Sequence, residues 1–452
     1  MNLPLLLRLG SSELISIVGA GGKTTLMFRL AEQLVDAGHK VITTTTTRIF
    51  AAQTKLAKNH IVLGQHTDDI VRLFSMLDYI PNILVTGLVS QDSDKAYGLE
   101  PQIINDLYRI GKLSKCTIIV EADGSRMRPF KAPDNHEPMI PTDTTIVISV
   151  VGSDVFGRKL NEINVHRPQI VSRIANVDPE SKVTPEIVSD VFLSPIGGMK
   201  RVPDKSRWLP FINKVKTSDD NTFAINTANL LMKGGVNEVL IGSLLDSTKS
   251  FMRFSKVASI VLAAGGSTRM DPNLGIKQLL PWGDDTLVGH SVKVSMKSKV
   301  NTIKVVVGNR HKEVVSSLRH VGVETVKNEN WSIGQSESLK IGLKSLDDDI
   351  GAVIFLLADQ PFVDSDLINA LILKYYETAA LIVAPKVNGK QANPVLFDRD
   401  IWSELLMIKG DIGGRNVVDK YKGCVEWIEW DDSIVYEIND MTDYRKILEE
   451  LD

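Results

Sequence analysis

Hydrophobic positions in the first part of the chain alternate between strand-like runs and helical stripes. Residues 14–18 are mostly apolar, and residues 24–37 then carry an apolar side chain every three or four positions before Gly38. These patterns predict a buried strand and then a helix with one apolar face that ends at a glycine. A second strand-like run, KVITT, follows at once. Such alternation predicts an α/β fold with a parallel sheet.

Further apolar runs divide the chain into two alternating series. CTIIVEADGS and TTIVISVVGSD belong to the first series, and the second begins at Val257 with VASIVLAAGG, followed by TIKVVVGN, AVIFLLADQPFV, ALIVAPKV and CVEWIEW. The stretch LLDSTKSFMRFSK between them fits neither pattern. We therefore predict a first domain at residues 1–248, a linker at residues 249–256 and a second domain at residues 257–452. VYEINDMTD predicts one more strand near the end.

The composition excludes several classes of function. The 452 residues are 43% hydrophobic, and 52 Lys and Arg stand against 55 Asp and Glu, which gives a formal net charge of −3. This balance argues against a broad surface for nucleic acid or for a membrane, so neither is expected as a partner. No run of 18 uninterrupted apolar residues is present, which argues against a membrane span.

The cysteines and the first residues bear on the compartment. Cys116 and Cys424 lie far apart, so they predict neither a disulfide framework nor a cysteine-based metal cluster. The apolar start MNLPLLLRLG has no early basic residue, and its apolar core is too short for a signal peptide. We therefore expect the protein to be cytoplasmic.

Each predicted domain opens with a strand that runs into a glycine loop. In the first domain the loop is GAGGKTT at residues 19–25, followed by the amphipathic helix. The usual phosphate loop has a glycine where this chain has Ile17, but the shorter spacing Gly-x-x-Gly-Lys-Thr-Thr is similar to the ATP loop of Mur ligases. Backbone N–H groups at a helix start bind phosphates. The expected nucleotide-binding residues are Gly19, Gly21, Gly22, Lys23, Thr24 and Thr25, with ATP or another NTP as ligand.

Charged residues follow the later strand CTIIVE of the first domain. Glu121 and Asp123 come at its end, where a parallel sheet places carboxylates that bind Mg²⁺. Arg126, Arg128 and Lys131 follow, and they form either an anion site or a solvated basic loop. FINKVK, at residues 211–216, is similar to the guanine-reading loop Asn-Lys-x-Asp, but a lysine in the place of its aspartate argues against guanine.

The second domain carries the clearer chemistry. A strand that ends at Gly265-Gly266 exposes backbone N–H groups to a triphosphate, and Arg269 and Lys277 offer cationic contacts. The strand FLLAD brings Asp359 to the carboxyl edge of the sheet, where a hard oxygen ligand suits Mg²⁺. KGDIGGR predicts a constrained loop. We expect the loop contacts with the nucleotide to come from Leu262, Ala263, Ala264, Gly265 and Gly266.

Six motifs of the second half occur together and in one order: LAAGGSTRM, KQLLPW, GQSESL, LADQPFV, NPVLF and GDIGGR. In this set the chain resembles the MobA/MocA-type nucleotidyltransferases. The resemblance implies a Rossmannoid fold of the glycosyltransferase-A type and, through LAAG and KQLLPW, the molybdenum cofactor cytidylyltransferase branch. It implies Arg269, Lys277 and Asp359 as catalytic residues, Mg²⁺ as cofactor and CTP as substrate. The implied acceptor contacts are Gln335, Ser336, Asn393, Asp411 and Arg415.

One position departs from the family pattern. The terminal motif of the family is usually Asp-Ile-Asp, and here it is Glu-Ile-Asn, which puts Asn439 at the place of the second metal-binding aspartate. An amide oxygen also coordinates Mg²⁺, so activity is still expected, with weaker metal binding.

The first half resembles the YqeC family of accessory proteins for selenium-dependent hydroxylases. The resemblance runs through VGAGGKTT, TTTT, VEADGSRMRPFKAPDNHEPMIP, VGSDVFG, VHRP, GGMKRVP and INKV. Together the two resemblances imply a bifunctional maturation enzyme with molybdopterin and an apo molybdenum hydroxylase of the xanthine dehydrogenase family as partners. Two alternatives stay open: a nucleotidyltransferase that uses GTP or a sugar-phosphate acceptor, and a non-catalytic chaperone that carries the cofactor.

Overall fold

The computed structural model of the chain describes residues 2–47, 49–50, 57–64, 67–88, 95–246, 251–266, 275–410 and 413–451. Contacts divide the chain into two compact units, Met1–Phe254 and Ser255–Asp452. Strands alternate with helices in both units, so the predicted α/β class is confirmed.

Part of the segment predicted as a linker is regular structure. Residues 252–256 are the start of the strand Met252–Ala263. The sequence MRFSK looks too polar for a buried strand, but the guanidinium of Arg253 is buried because it pairs with Glu238 at 2.7 Å. The predicted linker therefore overlaps a strand, and the division between the two units falls within it.

A parallel sheet forms the centre of the first unit. Its strand order, within the described residues, is β12–β11–β9–β1–β7–β2–β5–β4, with each neighbouring pair parallel. The strands of this unit are Leu14–Gly19 (β1), Lys40–Thr45 (β2), Ile49–Phe50 (β3), His60–Val62 (β4), Asn82–Thr86 (β5), Lys95–Ala96 (β6), Cys116–Glu121 (β7), Phe130–Lys131 (β8), Ile146–Gly152 (β9), Val165–His166 (β10), Arg207–Asn213 (β11) and Glu238–Ile241 (β12). Because β1 lies between β7 and β9, the residues that follow all three strands meet at one edge.

Helices cover the first sheet, which is why its central strands are apolar on both faces. The helix predicted at residues 24–37 is observed at Lys23–Asp36, and it buries its apolar stripe from Leu26 to Leu34. The helices of this unit are Leu3–Leu6, Lys23–Asp36, Thr67–Met76, Pro101–Leu113, Pro168–Ala175, Pro185–Leu193 and Ser218–Lys233.

The second unit contains a mixed sheet. Its order within the described residues is β17–β16–β13–β18–β21–β19–β22, where β21 is antiparallel to both of its neighbours and the other pairs are parallel. The strands are Met252–Ala263 (β13), Pro281–Trp282 (β14), Asp285–Thr286 (β15), Thr302–Val307 (β16), Glu324–Lys327 (β17), Ile350–Leu357 (β18), Ile382–Val387 (β19), Lys390–Gln391 (β20), Val395–Asp398 (β21) and Val425–Glu429 (β22).

Helices also cover both faces of the second sheet. Alternate residues of β13 face two different cores, with Val257 and Val261 in one and Ala258 and Ile260 in the other. The helices are Leu287–Lys297, His311–Ser317, Gln335–Lys344, Ser365–Thr378, Trp402–Met407, Arg415–Lys420 and Met441–Leu451. Among the helices of the described residues, none combines the length and apolar character required to cross a bilayer.

The prediction of a strand in VYEINDMTD was wrong. The structure has a 3-10 turn at Asp432–Val435, and the next residues are irregular up to the helix Met441–Leu451. Ile438 is fully buried, and its N–H donates to the carbonyl of Asp359 at 2.9 Å. A buried anchor, rather than pairing along a sheet, therefore helps to hold this segment.

Candidate functional sites

The site of the second unit begins where β13 and β18 end side by side. Leu262 is paired with Leu357 in the parallel ladder, and the N–H of Ala358 donates to the carbonyl of Leu262 at 3.4 Å. Directly after this pair, β13 continues into Gly265 and β18 continues into Asp359. The register of two strands thus brings a glycine loop and a carboxylate together.

A cavity of about 730 Å³ opens at this edge. It brings together residues that lie as far apart in the sequence as Leu262 and Asn439, which are separated by 177 positions. The predicted site residues that line it are Leu262, Ala264, Gly265, Gly266, Lys277, Gln335, Asp359, Asn393, Arg415 and Asn439.

Two predicted residues do not reach the cavity. Ala263 is 1% exposed and packs in the core on the other side of β13, because successive side chains of a strand face opposite ways. Ser336 is fully buried at the start of the helix Gln335–Lys344, so only its neighbour Gln335 faces the cavity. Arg269 and Asp411 lie outside the described residues.

Charged and polar groups gather at one end of this cavity. The ammonium of Lys277, at the start of the turn Lys277–Leu279, forms an ion pair with the carboxylate of Asp359. Both side chains are about one-fifth exposed, so the pair is open to a ligand. The main-chain bond from Ile438 to Asp359 holds Asn439 at the same end, where Asn439 also lines the cavity. A cation, a carboxylate and an amide thus converge beside the glycine loop.

The cavity is also lined by three residues predicted to contact the acceptor, Gln335, Asn393 and Arg415. The N–H of Ser336 donates to the carbonyl of Gly410 at 3.3 Å, which joins the GQSESL segment to the start of the GDIGGR segment. Gln335 lies close to Gly413, since a Cβ on that glycine would be 3.0 Å from Gln335 Oε1. Arg415 then begins the helix Arg415–Lys420.

Four polar residues that we did not predict support this site. Gln278 Nε2 donates to the carbonyl of Gly265 at 3.1 Å, and Asn309 Nδ2 donates to that of Gly266 at 3.2 Å, so the glycine loop is held from two sides. Glu437 lines the cavity and accepts a 2.7 Å hydrogen bond from Gln360. Gln278 and Gln360 directly follow Lys277 and Asp359 in the sequence, and that adjacency was the available signal.

This cavity offers a metal ion a small number of hard oxygen ligands. Asp359 and Glu437 offer carboxylates, and Asn439 offers an amide oxygen. In the part of the chain that the structure describes, no group of three or more His, Cys, Asp or Glu side chains could hold a metal by itself. This set fits Mg²⁺, which proteins bind through one or two carboxylates together with substrate phosphates and water.

The glycine loop of the first unit has backbone angles that other residues rarely adopt. Gly19, Gly21 and Gly22 have φ values of 92°, 84° and 136°, a region that favours glycine. A Cβ on Gly21 would lie 2.3 Å from the backbone nitrogen of Gly152, which leaves no room for a side chain. The helix Lys23–Asp36 begins directly after the loop, so its unpaired N–H groups face the same place.

Lys23 is buried under this loop and is surrounded by oxygen atoms. Its Nζ lies 2.8 Å from the carbonyl of Gly19, 3.3 Å from Asp123 Oδ1 and 3.6 Å from Glu121 Oε1. Burial opposes the charge, but the carboxylates of Asp123 and Glu121 outweigh it and raise the pKa of Lys23 above its usual 10.5. The lysine is therefore a fixed cation at neutral pH.

The two carboxylates after β7 have different surroundings. Asp123 accepts the N–H of Gly19 at 3.0 Å and lies between two ammonium groups, since Lys131 Nζ is 3.0 Å from its other side. Glu121 accepts the hydroxyl of Thr24 at 2.7 Å. Asp123 is thus already neutralised by lysines, which argues against its predicted role as a metal ligand, whereas Glu121 and Thr24 fit a Mg²⁺ site. Within the residues that the structure describes, the hydroxyl of Thr25 has no such partner.

Asn213, in the FINKVK segment at the end of β11, holds the loop from another side. Its Nδ2 donates to the carbonyl of Gly21 at 2.8 Å, and its Oδ1 accepts the N–H of Leu244 at 3.0 Å. Both side-chain ends are used by the backbone, so Asn213 positions the loop.

Comparison with known proteins assigns each unit to a family. Residues 259–425 match the MobA-like NTP transferase domain, and residues 15–169 match the YqeC protein. The purine catabolism protein PucB of Bacillus subtilis (strain 168) is 28% identical over 180 residues, which are 37% of this chain and 82% of PucB. The crystal structure of Rv0371c from Mycobacterium tuberculosis H37Rv has a TM-score of 0.40 and 25% sequence identity, and it covers 43% of this chain and 97% of Rv0371c.

The second unit thus contains a MobA-like NTP transferase domain, and the protein is a nucleotidyltransferase. The YqeC protein of Escherichia coli (strain K12) is 30% identical over 247 residues, which are 53% of this chain and 91% of that protein. The chain therefore belongs to the YqeC family, and it joins a domain of that family to the transferase domain.

Proposed function

We propose that the second unit transfers the cytidylyl group of CTP to the molybdopterin form of the molybdenum cofactor. The observation that carries this proposal is the meeting of Lys277, Asp359 and Asn439 beside the Gly265-Gly266 loop in one cavity. In the reaction an oxygen of the terminal phosphate of molybdopterin attacks the α-phosphorus of CTP. The bond from the α-phosphorus to the bridging oxygen breaks, and pyrophosphate leaves.

The chain's own contribution to this reaction is charge and position. Lys277 and the backbone N–H groups of the glycine loop neutralise the triphosphate, together with Arg269, which the family pattern places on that loop. Asp359 and Asn439 would hold Mg²⁺, which supplies further positive charge to the phosphates when bound. Phosphoryl chemistry needs little covalent help from a protein, so holding the two substrates in line supplies most of the rate.

The size of the cavity and the residues that line it support binding of the nucleotide and the acceptor together. A cavity of about 730 Å³ is within the range of small-molecule sites. Ala264 lines the cavity where the guanylyltransferase branch has glycine, and we propose that the larger residue narrows the pocket for the base and favours CTP over GTP. Gln335, Asn393 and Arg415 contact the molybdopterin acceptor, together with Asp411.

For the first unit we propose an accessory nucleotide site. The glycine loop and Lys23 hold the phosphates of ATP or another NTP, and Glu121 with Thr24 would hold Mg²⁺. A cofactor transferase joined to a domain of a hydroxylase-accessory family fits one product, a molybdenum hydroxylase that carries a cytosine dinucleotide cofactor. We propose the apo form of such a hydroxylase as the partner.

The experiment is pyrophosphate release by the full-length protein with each NTP, with and without molybdopterin. We expect release that needs both CTP and molybdopterin and that falls at least about 100-fold in Asp359→Ala. The exposed Asp366→Ala is the matched control and should keep its activity. Near-normal pyrophosphate release by Asp359→Ala would refute the site. A preference for GTP would refute CTP as the substrate. No release with any NTP would favour a chaperone that carries the cofactor.

The two sites are tested separately by Lys23→Ala. This variant should lose nucleotide binding and phosphate release at the first unit while pyrophosphate release continues. Loss of both activities in either variant would refute two independent sites.

A further inference from the structure

Basic side chains collect beside the glycine loop of the first unit. At their centre Lys131, which is 1% exposed, contacts Asp123 at 3.0 Å and Glu137 at 2.6 Å. Arg167 shares the same carboxylate, with its NH1 2.7 Å from Glu137 Oε2. Lys131 is one of the three basic residues considered for an anion site. Because these carboxylates already balance its charge, it has a structural role.

Arg126 and Arg128 are different, since neither has an ion pair or side-chain hydrogen bond to any residue that the structure describes. Their segment runs along the glycine loop: the carbonyl of Pro129 accepts the N–H of Gly152 at 2.8 Å, and a Cβ on Gly21 would lie 2.9 Å from that carbonyl. The segment that carries these two guanidinium groups therefore runs next to the phosphate loop.

His166 and Lys200 extend this positive region. His166 lies beside Lys131 in the parallel pair β8–β10. Burial and the charges of Arg167, Lys131 and Arg126 lower the pKa of His166 to about 4, although Glu137 opposes them. Burial and the charge of Arg201 also lower the pKa of Lys200, although Asp134 and Glu137 oppose this. Both groups therefore lie close to other cations of this region.

The backbone holds this arrangement in a conformation that is costly for these residues. Arg126 and Met127 have φ values of 49° and 60°, two consecutive non-glycine residues in the left-handed region. A hydrogen bond from the N–H of Arg128 to the carbonyl of Ser125, at 3.0 Å, closes the turn. Arg167 has a φ of 62°. Such strain persists where the surrounding structure enforces it, and it concentrates at ligand sites.

Asp123 separates this region from the nucleotide loop. Its carboxylate lies between Lys23, under the glycine loop, and Lys131, beside His166, at 3.3 Å and 3.0 Å. This carboxylate keeps an anion at the glycine loop, where the nucleotide phosphates bind, apart from an anion on the side of His166.

We propose that Arg126, Arg128, His166 and Lys200 form a second anion site, which takes the phosphate group of a small-molecule substrate other than the nucleotide. The proposal rests on the nucleotide site proposed for the glycine loop, and it deepens it: the first unit then binds two phosphate compounds side by side. Two guanidinium groups and a half-buried imidazole offer directional N–H donors from which a phosphate accepts hydrogen bonds.

The test uses the full-length protein, with inorganic phosphate as the probe and MgADP present at saturation. The imidazole signal of His166, assigned with His166→Gln, is followed by NMR as phosphate is added. A bound phosphate stabilises the charged imidazole, so we expect the pKa of His166 to rise by about one unit. In the double variant Arg126→Gln/Arg128→Gln the phosphate affinity should fall about tenfold or more.

A matched control is Lys112→Gln/Arg173→Gln, which removes two exposed basic residues of the same unit. It should leave phosphate binding unchanged, and circular dichroism checks that both double variants are folded. Fluorescent ADP and a fluorescent, non-hydrolysable ATP analogue should bind the arginine variant as they bind the wild type.

Two results would overturn the proposal. Weaker binding of the ATP analogue, with ADP unaffected, would assign the arginines to the γ-phosphate of the nucleotide. No response of His166, or equal phosphate affinity in the arginine variant, would reduce the segment to a solvated basic face. Failure of the wild type to bind ADP would instead refute the nucleotide site, while the phosphate titration of His166 would still decide the second site.

Discussion

Replacing Glu137 by glutamine should remove one of the strongest electrostatic contributions to the first unit. The carboxylate is 10% exposed and accepts both Lys131 Nζ, at 2.6 Å, and Arg167 NH1, at 2.7 Å. Burial opposes its charge, but Arg167 and Lys131 outweigh burial and lower the pKa of Glu137 from 4.5 to about 2. A difference of 2.5 units corresponds to about 3 kcal/mol of stability at pH 7.

The pH dependence of this contribution has a definite sign. Because the pKa of Glu137 is lower in the folded than in the unfolded chain, the stabilisation is fully present above pH 4.5 and is lost as the pH falls towards 2. About 2 kcal/mol of it is gone at pH 3. The glutamine variant has no carboxyl at this position. Between pH 7 and pH 3 its unfolding free energy should therefore fall by about 2 kcal/mol less than that of the wild type. Lys131 and Arg167 keep Asp123 and Asp134 as partners, so the variant should still fold.

The assay follows the reactivity of Cys116, which reports on the first unit alone. Cys116 is fully buried in β7, and burial raises the pKa of its thiol to about 12. Cys424 in the second unit is exposed and is replaced by serine in every sample. A dipyridyl disulfide labels thiols even at pH 3, and the labelling rate gives the free energy of opening. A loss of 3 kcal/mol should speed labelling of Glu137→Gln by roughly 100-fold at pH 7.

The control is Glu180→Gln, which breaks a surface ion pair to Lys159 at 3.4 Å. It should change the opening free energy by less than about 1 kcal/mol. If Glu137→Gln opens as slowly as this control at pH 7, or loses as much stability as the wild type on acidification, the electrostatic account of Glu137 is refuted.

Three other substitutions test the two sites. Asn439→Asp adds a carboxylate to the metal ligands, so the Mg²⁺ concentration for half-maximal pyrophosphate release should fall about tenfold, and an increase would contradict the assignment. Gly21→Ala should abolish nucleotide binding and lower the opening free energy measured by Cys116 labelling by about 3 kcal/mol or more, because its Cβ would lie 2.3 Å from Gly152 N. Its control is Gly38→Ala, at a φ of 86° with nothing within 4 Å, which should lower that free energy by only about 1 kcal/mol. Lys23→Met should lose nucleotide binding. Because the pKa of Lys23 is raised above 10.5, the variant should also be less stable than the wild type by a constant amount between pH 6 and pH 9, measured by the same labelling. A difference in stability that disappears within that range would contradict the fixed charge.

Local patterns in the sequence predicted much of the fold. The apolar runs placed β1, β7, β9 and the helix Lys23–Asp36 to within a few residues, because a strand buried on both faces must be apolar throughout. The errors came where a single tertiary contact replaced a periodic pattern. Arg253 is buried through Glu238, and Ile438 is anchored through Asp359, and neither partner is close in the sequence.

The sequence by itself determined the chemistry of both sites: the glycines, the lysines and the carboxylates, in an order that identifies two families. Only the tertiary structure decided which of these groups face each other. Parallel register placed Asp359 beside Gly265, and strand alternation turned Ala263 away from the cavity. In the first unit the folded chain placed Asp123 between Lys23 and Lys131, which neutralises one predicted metal ligand and leaves Arg126 and Arg128 beside the loop. Charge balance depends on distances between residues far apart in the chain, and those distances exist only after folding.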